Sequence, residues 1–147
     1  MSNIRILLAE DDEDDRFLFE QALLDSGIAS VLTAVSDGGQ LIDFLSDLPE
    51  SLAPEIIFLD INMPVMDGKS CLREIRRQEK FGMIPVIILS TSTRLKDVEE
   101  TYRDGANRYI SKMLFFTDSI VWIRRLFTAD WRQGLVRPSR EAFAFID

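Results

Sequence analysis

The chain has 147 residues, 46% of them apolar, a net charge of −8, one cysteine and no histidine. That length and apolar share suit one domain with a real core, and the missing histidine removes Ser-His-Asp triads, Cys-His pairs, histidine metal sites and phosphohistidine chemistry together. The acidic balance, with no clustered basic run, speaks against broad binding to nucleic acid or anionic membrane and leaves basic partner surfaces and divalent cations.

The elements alternate along the chain. Ile4 to Ala9 reads as a first strand, closed by the acids Glu10 to Asp15. A helix over roughly Asp14 to Asp25 carries Phe17, Leu18, Ala22 and Leu24. Val31 to Val35 gives a second strand and Gly39 to Leu48 a second helix, followed by an ordinary connection from Pro49 to Pro54. Ile56 to Leu59 is bounded by Pro54 on one side and by Asp60, Pro64 and Gly68 on the other, the pattern of a short strand buried on both faces of a parallel sheet. Lys69 to Lys80, with Leu72 and Ile75, predicts the third helix, and Val86 to Leu89 the fourth strand. A fourth helix runs from about Leu95 to Asp104, with Gly105 suited to its cap, before a strand over Arg108 to Ile110. The fifth helix is opened by Thr117 or Asp118 and carries Ile120, Ile123 and Phe127 on one side. Such a rhythm predicts βαβ units, a parallel sheet with helices on both faces.

The main domain is expected to span 1–128, with 129–147 as a C-terminal extension. Trp131, Leu135, Val136, Phe143, Phe145 and Ile146 lie in that extension. They are expected to fold back on their own domain, extending helix five and covering an apolar patch; the alternative is an interface in a homodimer. Cys71 alone excludes an internal disulfide framework, and Met1-Ser2-Asn3-Ile4-Arg5 lacks the apolar stretch of a signal peptide, so a cytoplasmic location is expected.

The chemistry gathers at strand ends. Asp60 ends the third strand, at the crevice where open α/β sheets keep their ligands, and Glu10 and Asp11 follow the first. Glu13, Asp14 and Asp15 read instead as a solvated helix start. Two carboxylates about 4 Å apart repel by roughly 4 kcal/mol at an effective dielectric near 20, and a divalent cation removes that cost. Few hard oxygen ligands with room for water and phosphate describe a Mg²⁺ site better than a closed calcium cage. Ser90 ends the fourth strand, and Ser111 and Lys112 follow the fifth. A carboxylate nucleophile, a metal, a hydroxyl and a cation are the parts that stabilise a phosphoryl group in transfer.

These motifs, in this order and spacing, resemble the response-regulator receiver domain (CheY-like) of two-component signalling, over about Asn3 to Phe127. The matching segments are Leu7-Leu8-Ala9-Glu10-Asp11-Asp12, Ile56 to Gly68, Val86 to Ser90, and Gly105-Ala106 leading to Lys112. The resemblance implies a flavodoxin-like (βα)5 three-layer sandwich with strand order 2-1-3-4-5, and a stand-alone phosphorylation switch rather than an enzyme in the ordinary sense. By position, Asp60 would accept phosphate from a histidine kinase or histidine phosphotransfer protein. Glu10 and Asp11, with Asp60 and the backbone carbonyl of Asn62, would hold Mg²⁺. Ser90 and Lys112 would contact phosphoryl oxygens, and Tyr109 would be the switch aromatic. The output would pass through the face made by helix four, strand five and helix five, near which Arg103, Arg108, Arg124 and Arg125 fall in sequence. The family usually places Pro after the lysine; here Met113 follows, and a trans Lys112-Met113 bond is expected. Two other readings fit parts of the pattern: a Mg²⁺-dependent phosphohydrolase of the haloacid-dehalogenase type, which has a second Asp where Asn62 stands, and a degenerate receiver used only for protein binding.

Overall fold

A near-continuous apolar strand is stable only with both faces covered, and three such runs, β1 (Ile4–Ala9), β3 (Ile56–Leu59) and β4 (Val86–Ser90), form the centre of the sheet. A computed structural model, in which residues 3–128 and 130–147 are described, adds β2 (Ser30–Val35), β5 (Arg108–Ser111) and a short β6 (Ala144–Phe145). All pairings are parallel, in the order β2-β1-β3-β4-β5-β6. The expected five-strand order is present, with one strand added at its edge.

Side chains alternate between the two faces and define two core layers. Ile6, Leu8, Phe58 and Ile87 pack with Phe19 and Leu23 of α1 (Glu13–Ser26), Phe115 of α5 (Lys112–Thr117) and Ile123 of α6 (Ser119–Leu126). Leu7, Ile57, Leu59 and Ile88 pack with Leu41 and Leu45 of α2 (Gly38–Asp47), Leu72 and Ile75 of α3 (Gly68–Arg77) and Val98 of α4 (Leu95–Arg103). The register aligns the strand ends. Ala9 pairs with Leu59, and Ser90 with Ser111, so Glu10, Asp60 and Lys112 emerge together at the carboxyl edge.

Several local expectations are corrected. In α1 the buried stripe is Phe19, Ala22, Leu23 and Ser26, whose spacing forms one helical face; Phe17, Leu18 and Leu24 are exposed. The third helix stops at Arg77, short of Lys80. Gln78 is extended, and a Cβ at position 82 would lie 2.3 Å from its carbonyl oxygen, so the chain turns back closely at Gly82. A separate helix, α5, starts at Lys112 because the Ser111 hydroxyl accepts a bond from the Leu114 amide (3.3 Å) and Phe115 stacks on Phe19 at 5.7 Å. It breaks at Asp118, where α6 begins.

The extension folds back as expected, but it does not lengthen helix five. After Leu126 the chain turns so that Phe127 faces Phe58 (6.4 Å) and Trp131 (5.2 Å). Two single-turn helices follow, α7 (Trp131–Gly134) and α8 (Arg140–Phe143), and β6 then pairs with the otherwise open edge of β5. Phe143 is fully buried against Tyr102 (5.1 Å) and Tyr109 (6.3 Å). Asn107 Nδ2 donates to the Leu135 carbonyl (2.7 Å), and the Tyr102 hydroxyl to that of Pro138 (3.0 Å). Val136 and Phe145 stay exposed.

Candidate functional site

Asp60 sits at the end of β3, its amide bonded to the Ala9 carbonyl (3.1 Å) and its side chain buried. The loop behind it is drawn tight: the Gly68 amide donates to the Ile61 carbonyl (2.7 Å), and a Cβ at position 68 would lie 2.1 Å from the Asp60 carbonyl oxygen. Only glycine fits there. Val65, in the same loop, holds φ +66°, a strained conformation for a β-branched residue. Glu10 is buried, accepts from the Asp12 amide through Oε2 (3.2 Å), and has its Oε1 2.6 Å from the Lys112 ammonium. Burial first, and the neighbouring Asp60 charge, push the Glu10 carboxyl up to about 7 despite that lysine.

Carboxylate oxygens of Glu10, Asp11 and Asp60 lie within 4.8 Å of one another, with Asp11 exposed at the mouth. Asp60 Oδ2 accepts from Lys112 (3.2 Å), whereas its Oδ1 is buried without a donor among the described residues. A buried carboxylate with one orphaned oxygen, grouped with two further acids, is the donor set of a small hard divalent cation, so the residues present fit such an ion.

The other predicted residues surround this trio. Lys112 is buried, and although burial opposes its charge, the bonds it donates to Asp15 and Glu10 and the Asp60 charge hold it firmly protonated. Its peptide bond to Met113 is trans, as expected. Ser90 is buried at the end of β4, its hydroxyl oxygen accepting from the Ser92 amide (3.1 Å). Asn62 is exposed on the loop just after Asp60. Tyr109 already points inward, fully buried, its hydroxyl donating to the Ser92 carbonyl (2.9 Å) beneath Phe143.

Sequence reasoning missed two features. Asp15, read as solvated, accepts from Lys112 at 2.8 Å. Arg16 Nη1 donates to the Glu10 carbonyl at 2.8 Å and pins the acidic turn. Of the arginines placed near the output face, Arg108 bonds the tail carbonyl of Gly134, whereas Arg124 reaches Ser26 of α1 (3.2 Å) on another side of the molecule. A helix-periodic pattern fixes faces only once the neighbours are known.

A second charged knot links the β4–α4 connection to α3. Asp97, almost fully buried in the first turn of α4, accepts from Lys69 (2.5 Å), Arg94 (3.2 Å) and the Ser92 hydroxyl, and Lys69 also reaches Glu100 (2.7 Å). Burial opposes its ionisation, yet these donors hold its carboxyl down, to about 2 from an ordinary 3.8. A depressed carboxylate gives stability that is present above the unfolded value and is lost as pH falls through the folded one. Asp97→Asn is therefore expected to cost about 2 kcal/mol at pH 7 and to flatten the acid-side decline between pH 3.8 and about 2, measured by urea melts across that range. A decline as steep as that of the wild type would show that Asp97 does not carry it.

The sheet order and the acidic pocket together define a receiver of phosphorylation-dependent signalling, and the family comparison agrees: the chain matches the response regulator receiver domain over residues 6–120 and belongs to that family. Receiver domains take phosphate from histidine kinases and act as signalling switches, not as enzymes in the ordinary sense. The chain is 36% identical over 137 residues to the response regulator Rcp1 of Synechocystis, covering 91% of this chain and 92% of that one. Its fold is similar to the crystal structure of the phosphorylated cyanobacterial phytochrome response regulator RcpA, with a TM-score of 0.77, 29% identity, and coverage of 94% of this chain and 100% of that one. A Mn²⁺-bound form of Rcp1 is similar at a TM-score of 0.76 and 30% identity, over 92% of this chain and 99% of that one. Among the described residues no helix is long and apolar enough to cross a membrane.

Proposed function

We propose that Asp60 accepts the phosphoryl group, with Mg²⁺ held by Glu10, Asp11, Asp60 and the Asn62 backbone carbonyl. The observation that carries this reading is the Asp60 carboxylate itself: buried at a strand end beside Glu10 and Asp11, with one oxygen on Lys112 and the other without a donor among the described residues. In the transfer, an Asp60 oxygen forms a bond to phosphorus as the bond from phosphorus to the donor's histidine nitrogen breaks, and the electron pair stays with the imidazole. Mg²⁺ supplies neutralisation of the phosphoryl oxygens when bound. Lys112 offers a preformed cation to a phosphoryl oxygen, and Ser90 a hydroxyl to another. Any rate enhancement of the chain's own phosphorylation and dephosphorylation comes from these same groups.

The donor in this reading is a histidine kinase or a histidine phosphotransfer protein, met in the cytoplasm, with neither nucleic acid nor membrane as partner. The switch is the β4 to α4 loop, where Ser90, Ser92 and Tyr109 are joined, and the output leaves by the side of α4, β5 and the helices after it. A second copy of the chain is the other partner assigned to that side, and the downstream target is a protein. The division into a receiver over 1–128 and an extension over 129–147 belongs to the same proposal; its boundary falls at residue 129, outside the described residues. Asn62 in place of a second Asp, and the family membership, leave the phosphohydrolase reading without support. A degenerate receiver is not favoured either, because Glu10, Asp11, Asp60, Ser90 and Lys112 are all present in the sequence.

Intact mass spectrometry after incubation with acetyl phosphate tests the reading. With Mg²⁺ a single added phosphoryl group is expected, acetate leaving with the electron pair of the broken P–O bond, and excess chelator should suppress the gain. Equal labelling with and without chelator would overturn the metal's part in it.

A further inference from the structure

The ammonium of Lys112 has three donors and meets three carboxylates: Glu10 at 2.6 Å, Asp15 at 2.8 Å and Asp60 at 3.2 Å. Glu10 and Asp60 belong to the trio whose oxygens converge for a cation; Asp15 does not. It stands one turn beyond Asp11 on α1, and its backbone is fixed because the Asp12 side chain caps the helix by accepting from the Asp15 amide (3.0 Å). Lys112 is equally fixed, as the first residue of α5 behind the Ser111 cap. Two helix starts thus present one acid and one ammonium to each other across the rim of the pocket.

In this arrangement Lys112 serves as an internal counter-ion to Glu10 and Asp60. With a divalent cation in that seat, the ammonium loses its claim on Glu10 and is repelled by the like charge. Its side chain is only 8% exposed, so withdrawal without an acceptor would leave a buried charge unpaired. We propose that Asp15 is a positioning residue that receives the Lys112 ammonium when the cation seat is filled, keeping the lysine beside Asp60 without contesting the metal ligands. This rests on reading Glu10, Asp11 and Asp60 as a divalent seat. It also supplies a means of aiming Lys112 in a chain where Met113, not Pro, follows it.

The alternative is that Asp15 adds only negative potential to the pocket, and a double-mutant cycle read by Mg²⁺ binding separates the two. Calorimetric titration with MgCl₂ would compare wild type, Asp15→Asn, Lys112→Met and the double variant, each checked for folding by thermal melts, with Asp14→Asn as a charge-matched control. Asp15→Asn is expected to weaken Mg²⁺ binding roughly three- to tenfold, and by less than about twofold when Lys112 is already Met. Asp14→Asn should have less than half the effect of Asp15→Asn. An equal loss in both Lys112 backgrounds, or no loss in either, would overturn the role of Asp15 while leaving the metal seat standing. A wild-type chain that takes up no Mg²⁺ would remove the seat itself, and the inference with it.

Discussion

Asp60→Asn is expected to gain no phosphoryl group from acetyl phosphate and to melt no lower than the wild type in the absence of metal. The loss follows because an amide oxygen is a far poorer nucleophile than a carboxylate, even with Lys112 still beside it. The stability follows from the crowding. Asn keeps an oxygen for Lys112 and places an NH₂ donor where the orphaned Oδ1 now stands, in a residue grouped with Glu10 and Asp11. Replacing one of three converging carboxylates by a neutral donor should therefore be neutral or stabilising by about 1 kcal/mol. Mass spectrometry and thermal melts of the same sample read both halves. Wild-type uptake by the variant would show that another residue is the acceptor, and a collapsed melting point would show that Asp60 is structural.

The trio itself was legible because strand-end acids are local. An apolar run that stops at an acid places that acid at the edge of a parallel sheet, and parallel register brings the ends of β1 and β3 together. Lys112 was legible by the same rule. Asp15 was not, since an acid in a first helical turn normally faces water, and its partner lies across the pocket on an element, α5, that had no signal of its own. Met113, Leu114, Phe115 and Phe116 match no clean helical stripe until Phe19 is known to stack on Phe115. Nothing local in the sequence marks Asp97 or Lys69. Only the packing of α3 beside α4 desolvates Asp97, so that its donors matter. The tail was half legible: its apolar residues called for cover, but a two-residue strand such as β6 is chosen by the open edge of β5 and not by its own propensity.

That edge makes the tail the site of the second large effect. Phe143→Ala is expected to destabilise the protein by about 3 kcal/mol, in the range measured for emptying a buried aromatic site. For a chain of this size that lowers the melting temperature by roughly 6 to 12 °C. Phe143 is fully buried and touches both Tyr102 and Tyr109, so its removal opens a cavity beside the aromatic whose hydroxyl holds the Ser92 carbonyl. Removing 135–147 altogether should lower the melt at least as far, since it also takes away the acceptors at Leu135 and Pro138 and reopens the β5 edge. Light scattering distinguishes an intramolecular tail from an interface: the truncated chain is expected to keep the wild-type mass, with and without a phosphoryl mimic. A dimer present in the wild type and lost on truncation would mean that Phe143 and Leu135 also pack between copies in solution, and a melt unchanged by Phe143→Ala would mean that the tail does not hold the β5 edge at all.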